Sequence, residues 1–312
     1  MHRPTPAWFE RLAFVLVRPS HPGNVGAVAR AMRTMGLHRL VVVAPRLPRV
    51  LSHPDAVARA SGALDVLCDA VVADDLATAL APFTHAVAVS ADEREFGPAP
   101  QPPEAIARDV RAQLLGSGEA RVAFVFGTER SGLSIEDALA CQSMCSIPGA
   151  TDYHSLNLAQ AAQIVAYCLR SVDRLDPIDE LAAAASAAQA RGAGPGGEGR
   201  AAEAMADDGR TGPGAPASLA AIEGLFAHLE RALVRIGFLD PAHPKKLMPR
   251  LRRLFGRTRL EVEEVALLRG ICTQILKLAD GDIHGARRPP AAPGDRAGVP
   301  PGPAQPSATE RS

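Results

Sequence analysis

Short apolar runs alternate with helix-like stretches over the first half of the chain. The runs are rich in valine and cover residues 12–17, 39–44, 69–73, 85–90, 120–127 and 143–147. Between most of them, apolar residues recur every three to four positions, at residues 24–36, 55–61, 74–81, 103–115 and 155–170. Continuous apolar strands that alternate with helices are typical of a parallel sheet covered on both faces. The pattern therefore predicts an α/β domain over residues 1–172.

The composition changes after residue 172. Residues 173–217 are mostly Ala, Gly and Pro with scattered charges and almost no large apolar side chains, which predicts a flexible linker. Helical periodicity returns at residues 219–239, 246–256 and 260–279. These stretches predict a small all-α domain over residues 218–284. Residues 285–312 are rich in proline and are predicted to be a disordered tail.

Composition limits the class of protein. The formal net charge of the 312 residues is zero, so any surface that binds nucleic acid must be a local patch. Five cysteines without C-x-x-C spacing argue against a disulfide framework or a zinc cluster, and we expect no metal. The first residues lack the pattern of a signal peptide, and no apolar run is long enough to span a membrane. We expect a cytoplasmic protein.

The first of three strand-to-helix junctions with glycine and polar side chains is HPGNVGAVARAMRTMG, residues 21–36. In open parallel sheets, ligands bind at such strand ends. Asn24 could simply cap the helix. Arg30 lies near the first turns of the helix, where acidic side chains are favoured over basic ones. It therefore indicates either an anionic partner or an exposed surface residue. The stretch lacks the third glycine of a dinucleotide fingerprint and the lysine of a P-loop.

The other two junctions follow later strands. In FVFGTERSGLS, residues 124–134, an apolar strand ends at Gly127 and Glu129 follows; the alternative is an ordinary charged loop before a capped helix. In residues 146–170, Asn157 lies in the first turn of a long apolar helix, and His154 is either a base or a surface residue. The spacing of these residues alone predicts an α/β domain that binds a small polar ligand.

Taken together and in this order, the three junctions resemble the three motifs of the SpoU-type (SPOUT class) RNA ribose 2'-O-methyltransferases. PGNVGAVARAM resembles the first motif, VFGTERSGLS the second and IPGATDYHSLNLAQAAQIVAY the third. Residues 228–271 resemble the C-terminal extension of the TrmJ family, the tRNA (cytidine/uridine-2'-O-)-methyltransferases that act on the anticodon loop. The resemblance covers the chain apart from the linker and both ends.

The resemblance implies a sheet with a deep C-terminal trefoil knot, S-adenosylmethionine as cofactor, and a homodimer with its active site near the interface. It also implies methylation of a ribose 2'-hydroxyl in tRNA, at a cytidine or uridine in anticodon-loop position 32, without a metal. The residues that match the family's cofactor loops are Val89, Ser90, Ala91, Gly127, Ile147, His154, Ser155 and Leu156. Those that match its catalytic and polar motif positions are Arg30, Asn24, Glu129, Ser155 and Asn157.

The resemblance has further implications at Arg30 and at Thr128. In this family, the first-motif arginine, which Arg30 matches, has the role of activating the ribose hydroxyl. A guanidinium is effectively always protonated, so we expect Arg30 to bind the adjacent phosphate and to stabilise the alkoxide that develops on the 2'-oxygen. Thr128 departs from the pattern, because close relatives often carry arginine there, and this departure weakens the inference about substrate detail.

A cationic segment independently favours an RNA partner. Residues 245–259 contain seven lysines and arginines and no acid. Such a segment would neutralise several phosphates, and its binding to RNA should weaken steeply with salt; the alternative is a solvated helix face. The predicted RNA-binding residues are Lys245, Lys246, Arg250, Arg252, Arg253, Arg257 and Arg259.

Three other functions compete with this interpretation. The first is methylation of ribose in rRNA, and the second is RNA binding without catalysis on a SPOUT scaffold. The third, a generic nucleotide-binding α/β protein, would need a phosphate loop that the sequence lacks. Binding of S-adenosylmethionine discriminates the second from an enzyme, because a pure RNA-binding module should show none.

Overall fold

A computed structural model describes residues 4–91, 97–150, 155–172 and 214–280. The strands found there are β1 Leu12–Val17, β2 Leu40–Val43, β3 Val71–Ala73, β4 His85–Val89, β5 Pro100–Gln101, β6 Val122–Phe126 and β7 Ser143–Cys145. Within these ranges they form one seven-stranded parallel sheet in the order β3-β2-β1-β6-β4-β7-β5. The predicted α/β class and parallel sheet are confirmed. Only the two-residue edge strand β5 was not predicted.

Eight of the ten α-helices found in these ranges lie where the apolar periodicity predicts them, with ends that differ by up to four residues. In the same ranges the ten helices are α1 Pro22–Met35, α2 Pro54–Ala60, α3 Leu64–Cys68, α4 Leu76–Leu80, α5 Pro103–Gly116, α6 Ile135–Leu139, α7 Leu158–Val172, α8 Leu219–Arg235, α9 Leu247–Gly256 and α10 Val262–Ala279. The five-residue α3 was not predicted, because so short a helix shows little periodicity. The predicted tail, and the predicted linker up to residue 213, lie outside the described residues.

Different helices cover the two faces of the sheet, because successive strand residues point to opposite sides. Large side chains such as Phe14, Phe124 and Phe126 pack against α1, α5 and α7. The other face carries smaller side chains and packs against α4, the residues that flank α6, and Leu219 at the start of α8. The backbone amide of Leu219 also donates a hydrogen bond to the carbonyl of Phe83 at 2.7 Å. The C-terminal helices therefore contact the sheet directly.

The three C-terminal helices share a small core of their own. It contains Ala217, Leu225, Leu260 and Val265. The chain before α8 pairs with the chain before α10, where the Ala217 amide donates to the Leu260 carbonyl at 2.9 Å. No residue of α9 is buried, so α9 lies on the surface of this group.

The second glycine of the first junction serves helix packing. A Cβ on Gly26 would lie 2.0 Å from the carbonyl oxygen of Ala56, so α1 and α2 approach too closely at this point for any larger residue. This close approach packs the start of α1 against α2.

Candidate functional site

Glu129 joins the first and second of the three junctions. Its carboxylate accepts hydrogen bonds from the Ser20 amide at 3.0 Å, the Ser20 hydroxyl at 2.8 Å, the His21 amide at 3.1 Å and Nδ2 of Asn24 at 3.1 Å. Partial burial opposes ionisation, but the hydrogen bonds from Ser20 and Asn24 outweigh it and lower the pKa of Glu129 to about 2. Glu129 is therefore charged near neutral pH and holds the start of α1 against the loop after β6.

Asn24 extends this network to the third junction. Its Oδ1 accepts a hydrogen bond from Nδ2 of Asn157 at 3.2 Å, and Oδ1 of Asn157 accepts one from the Ala159 amide at 2.9 Å. The N-cap of α1 is His21, so Asn24 lies inside the first turn, and the alternative in which it only caps the helix is wrong. Three of the predicted polar residues, Asn24, Glu129 and Asn157, thus form one connected group.

A cavity of about 220 Å³ lies beside this group, at the carboxyl ends of β4, β6 and β7. This is the usual place for a ligand in an open parallel sheet. Seven of the eight predicted cofactor residues line it: Val89, Ser90, Ala91, Gly127, Ile147, Ser155 and Leu156. The eighth, His154, lies outside the described residues. Glu129 also lines the cavity, so the hydrogen-bonded group forms part of its wall.

Gly127 shapes the wall of this cavity. A Cβ on Gly127 would lie 2.0 Å from the carbonyl carbon of Gly132 and 2.2 Å from the Leu133 nitrogen, so only glycine lets the loop return this closely. Two backbone hydrogen bonds, of 3.1 and 3.0 Å, join Thr128 to Gly132 and close the loop. The Thr128 hydroxyl lies 2.9 Å from that of Ser131. Thr128, the departure from the family pattern, therefore stabilises the turn of this loop.

Two residues of the site escaped the sequence analysis. Ser20 donates two of the hydrogen bonds to Glu129, and Arg130 lines the cavity with an exposed side chain. Serine and arginine are common in surface loops, so neither residue type carries a signal of its own. Position was the only available clue, because Ser20 follows β1 and Arg130 follows β6 within a few residues.

Arg30 lies apart from this cavity. It is exposed on α1, six residues after Asn24, which corresponds to about 9 Å along the helix axis and a different side of the helix. No carboxylate in the ranges described above forms an ion pair with its guanidinium. Of the five predicted catalytic residues, four lie in the cavity wall or in the group around Glu129, and Arg30 does not.

The cationic segment forms α9 and its flanks. Six of its seven cations are exposed. Arg252 differs, because its guanidinium forms two hydrogen bonds with the carboxylate of Glu223, one of them from Nη2 at 2.7 Å, and lies 4.5 Å from the ring centroid of Phe226. Arg252 therefore holds α9 against α8.

Among the residues that the structure describes, no group of three or more His, Cys, Asp or Glu side chains could hold a metal ion. In the same part of the chain, no helix is both long and apolar enough to cross a membrane.

Replacing Glu129 with glutamine is expected to lower the free energy of unfolding at neutral pH by about 1–3 kcal/mol, because the glutamine amide presents one acceptor oxygen to four donors. The pKa of Glu129 is lower in the folded state, so its ionised form favours folding. That contribution is complete above the ordinary value of 4.5 and is lost as pH falls toward about 2. The difference between wild type and Glu129→Gln, measured by urea denaturation, should shrink over that range.

Glu119→Gln is the matched control, since Glu119 is exposed and its stability change should stay within about 0.5 kcal/mol. Equal stability of wild type and Glu129→Gln at neutral pH would contradict the anchoring role of Glu129.

The comparisons with known proteins agree with this geometry. The model of the SpoU rRNA Methylase family matches residues 11–167, and that of the C-terminal domain of the tRNA methyltransferase TrmJ matches residues 220–284. The tRNA (cytidine/uridine/adenosine-2'-O-)-methyltransferase TrmJ of Pseudomonas aeruginosa is 39% identical over 272 residues, which cover 87% of this chain and 96% of the relative.

Two crystal structures are similar as well. TrmJ from Z. mobilis is 28% identical, with a TM-score of 0.64, and the match covers 84% of this chain and 98% of that one. A probable methyltransferase from Bordetella pertussis is 48% identical, with a TM-score of 0.50, over 53% of this chain and 96% of that one. With both halves of the chain matched and the three motif junctions joined in one site, the chain belongs to the SpoU methylase family and, within it, to the TrmJ tRNA methyltransferases.

Proposed function

We propose that this protein transfers a methyl group from S-adenosylmethionine to a ribose 2'-hydroxyl in tRNA. The observation that carries the proposal is the group of Glu129, Asn24 and Asn157, which joins three distant junctions beside one cavity. The activities for which the TrmJ relatives are named support tRNA as substrate and cytidine or uridine as the target nucleoside, with adenosine added in the relative from Pseudomonas aeruginosa. Within this function, we place the target at position 32 of the anticodon loop.

The cavity wall fits S-adenosylmethionine chemically. Its apolar residues, among them Val89, Ile147 and Leu156, suit a purine ring. The guanidinium of Arg130 suits the carboxylate of the methionine part, and the charged Glu129 favours a cationic ligand nearby. When bound, S-adenosylmethionine supplies a methyl group on a sulfonium, which is already a good leaving group. The chain then has to position the 2'-oxygen and stabilise the charge that develops on it.

Arg30 supplies that charge stabilisation. Its guanidinium stays protonated, so it binds the phosphate next to the target ribose and stabilises negative charge on the 2'-oxygen. Arg30 lies outside the cavity of its own chain, and in the proposed homodimer it serves the site of the partner subunit. Asn24, Glu129 and Asn157 are positioning residues that hold the three junctions in register, and the Ser155 hydroxyl orients the substrate in the cavity.

The domain organisation follows the same proposal. Residues 1–172 form the catalytic domain, with a trefoil knot at its C-terminal end, and residues 218–284 form a basic all-α domain that binds tRNA. Residues 173–213 belong to the linker and residues 285–312 to the tail; the sequence-based end of the linker at residue 217 is wrong, because Ala217 is buried in the core of the C-terminal helices and pairs with Leu260. The position of β7 between β4 and β5, and the packing of α7 against α1 and α5, support the knotted arrangement. The enzyme acts in the cytoplasm.

Methyl transfer from labelled S-adenosylmethionine to total tRNA and to rRNA tests the function. We expect a 2'-O-methylated pyrimidine at position 32 of tRNA when the product nucleosides are mapped. Methylation of rRNA alone would replace the proposed substrate with the rRNA alternative. Absence of transfer to either RNA, with S-adenosylmethionine bound in calorimetry, would contradict the enzymatic function and favour RNA binding without catalysis.

A further inference from the structure

A second cavity, of about 300 Å³, lies where α9 meets the amino-terminal edge of the sheet. On the side of the sheet, its wall includes His85, the first residue of β4, together with Gln101 of β5 and Ser143, the first residue of β7. Val89, at the other end of β4, lines the first cavity, so the two cavities are separated by about 13 Å of strand. On the side of α9, the wall consists mainly of arginines: Arg252, Arg253, Arg257 and Arg259.

The charge of this second cavity is positive. Arg252 is paired with Glu223 and contributes no net charge. Within the residues that have been placed, no ion pair joins the other three arginines to a carboxylate, and Asp109 is the one acid in the cavity wall. Three guanidiniums and one carboxylate leave a net charge of about +2, which favours an anion.

His85 gives the cavity a neutral polar floor. The residue is 4% exposed, and its Nε2 lies 2.9 Å from the Ser143 hydroxyl oxygen. Burial, and to a smaller extent the charge of Arg259, lowers the pKa of His85 to about 3, so the imidazole is uncharged at neutral pH. A neutral hydrogen-bonding floor beneath guanidiniums is suited to a phosphate, whose oxygens accept hydrogen bonds from several donors at once.

The backbone holds Arg259 in place. Its φ of 53° is in the left-handed region, which is uncommon for residues other than glycine. The next residue, Leu260, is buried in the core of the C-terminal helices and pairs with Ala217. The turn that carries Arg259 is therefore anchored on its C-terminal side.

We infer that this second cavity binds a single phosphate of the tRNA backbone, shared by Arg253, Arg257 and Arg259. The inference rests on the proposed function, because it takes tRNA as the partner of α9. It narrows the sequence-based expectation that the cationic segment neutralises several phosphates, because three of the cations would share one phosphate. Because the second cavity lies away from the methyl-transfer cavity, it contributes to binding of tRNA and not to the chemical step.

Salt dependence of tRNA binding distinguishes one shared phosphate from three separate ones. The logarithm of the binding constant falls with the logarithm of salt concentration by about 0.9 per phosphate contact. We expect the triple variant Arg253→Ala, Arg257→Ala, Arg259→Ala to lower this slope by about one, measured by fluorescence anisotropy between about 50 and 200 mM salt. A decrease of about three, in equal steps for the single variants, would overturn the inference in favour of three separate phosphates.

Matched variants separate charge from folding. Arg231→Ala removes an exposed cation of α8 outside the cavity wall and should leave the slope unchanged. The triple replacement by lysine keeps the charge and should restore most of the slope. Melting temperature and calorimetry with S-adenosylmethionine should match wild type in all these variants. The triple alanine variant should bind tRNA about tenfold more weakly and raise KM for tRNA, with kcat little changed.

Inorganic phosphate, compared with chloride at equal ionic strength, separates the two sources of a phosphate group. We expect it to compete with tRNA on the wild type and not on the triple alanine variant. Phosphate binding by the wild type, with tRNA affinity unaltered in that variant, would assign the cavity to a free anion and overturn the inference. If the wild type methylates tRNA but the triple alanine variant keeps the full salt dependence of tRNA binding, this inference alone is contradicted. A wild type that transfers no methyl group contradicts the proposed function instead.

Discussion

Replacing Arg30 with alanine is expected to lower kcat for tRNA methylation by about 100- to 1,000-fold and to leave the affinity for S-adenosylmethionine unchanged. The side chain is exposed and lies outside the cofactor cavity, so its removal should barely affect folding. The loss arises because no other cation would stabilise charge on the 2'-oxygen in the proposed mechanism. Single-turnover methyl transfer, calorimetry with the cofactor and thermal melting measure the three quantities.

Arg33→Ala is the matched control, one turn further along α1. Arg33 pairs with Asp65 at 2.8 Å on the surface, so its removal should cost little stability and no activity. Loss of cofactor affinity in Arg30→Ala would show that Arg30 belongs to the cofactor site and would contradict its proposed role.

Mixing two inactive variants tests whether Arg30 serves the partner subunit. In a mixed dimer of Arg30→Ala and Ser155→Ala chains, one site would carry both replacements and the other neither. Random exchange of subunits should therefore restore about a quarter of wild-type activity. No recovery, in a mixture shown to contain mixed dimers, would place Arg30 at the site of its own chain.

Replacing Gly127 with alanine is expected to abolish measurable binding of S-adenosylmethionine and to lower the free energy of unfolding by about 3 kcal/mol. The added Cβ would meet the backbone of Gly132 and Leu133 at 2.0 to 2.4 Å, and backbone atoms cannot move aside as the end of a flexible side chain can. The loop from Thr128 to Gly132 must then open, and it forms one wall of the cavity. Calorimetry and urea denaturation measure both effects.

Gly132→Ala separates steric conflict from backbone conformation. Gly132 has a φ of +64°, but nothing lies within 4 Å of an added Cβ. Its replacement should therefore lower the free energy of unfolding by about 1–2 kcal/mol, the cost of holding alanine in the left-handed conformation. It should leave more cofactor affinity than Gly127→Ala does. If Gly127→Ala bound the cofactor as wild type does, the close return of this loop would not be needed for the site.

Local patterns of apolar residues in the sequence were sufficient to predict most of the strands and helices. The central strands β1, β4 and β6 are buried on both faces, which makes them continuous apolar runs that stand out in the sequence. The long helices carry one apolar face each and show it as a period of three to four residues. The elements that escaped, β5 and α3, are too short to show either pattern. The resemblance supplied the cofactor residues, and seven of them line one cavity because they follow strands that end at the same edge.

The sequence by itself determined the class of fold, the places of the strands and helices, and the three junctions that carry the chemistry, because these depend on burial and backbone preference close along the chain. Only the tertiary structure decided which side chains meet. Glu129 binds Ser20 across 109 positions, Arg252 binds Glu223 within the C-terminal helices, and His85 lies beneath the arginines that follow α9. Such contacts depend on the order of strands in the sheet and on how α8 and α9 pack. A local sequence pattern predicts neither of these.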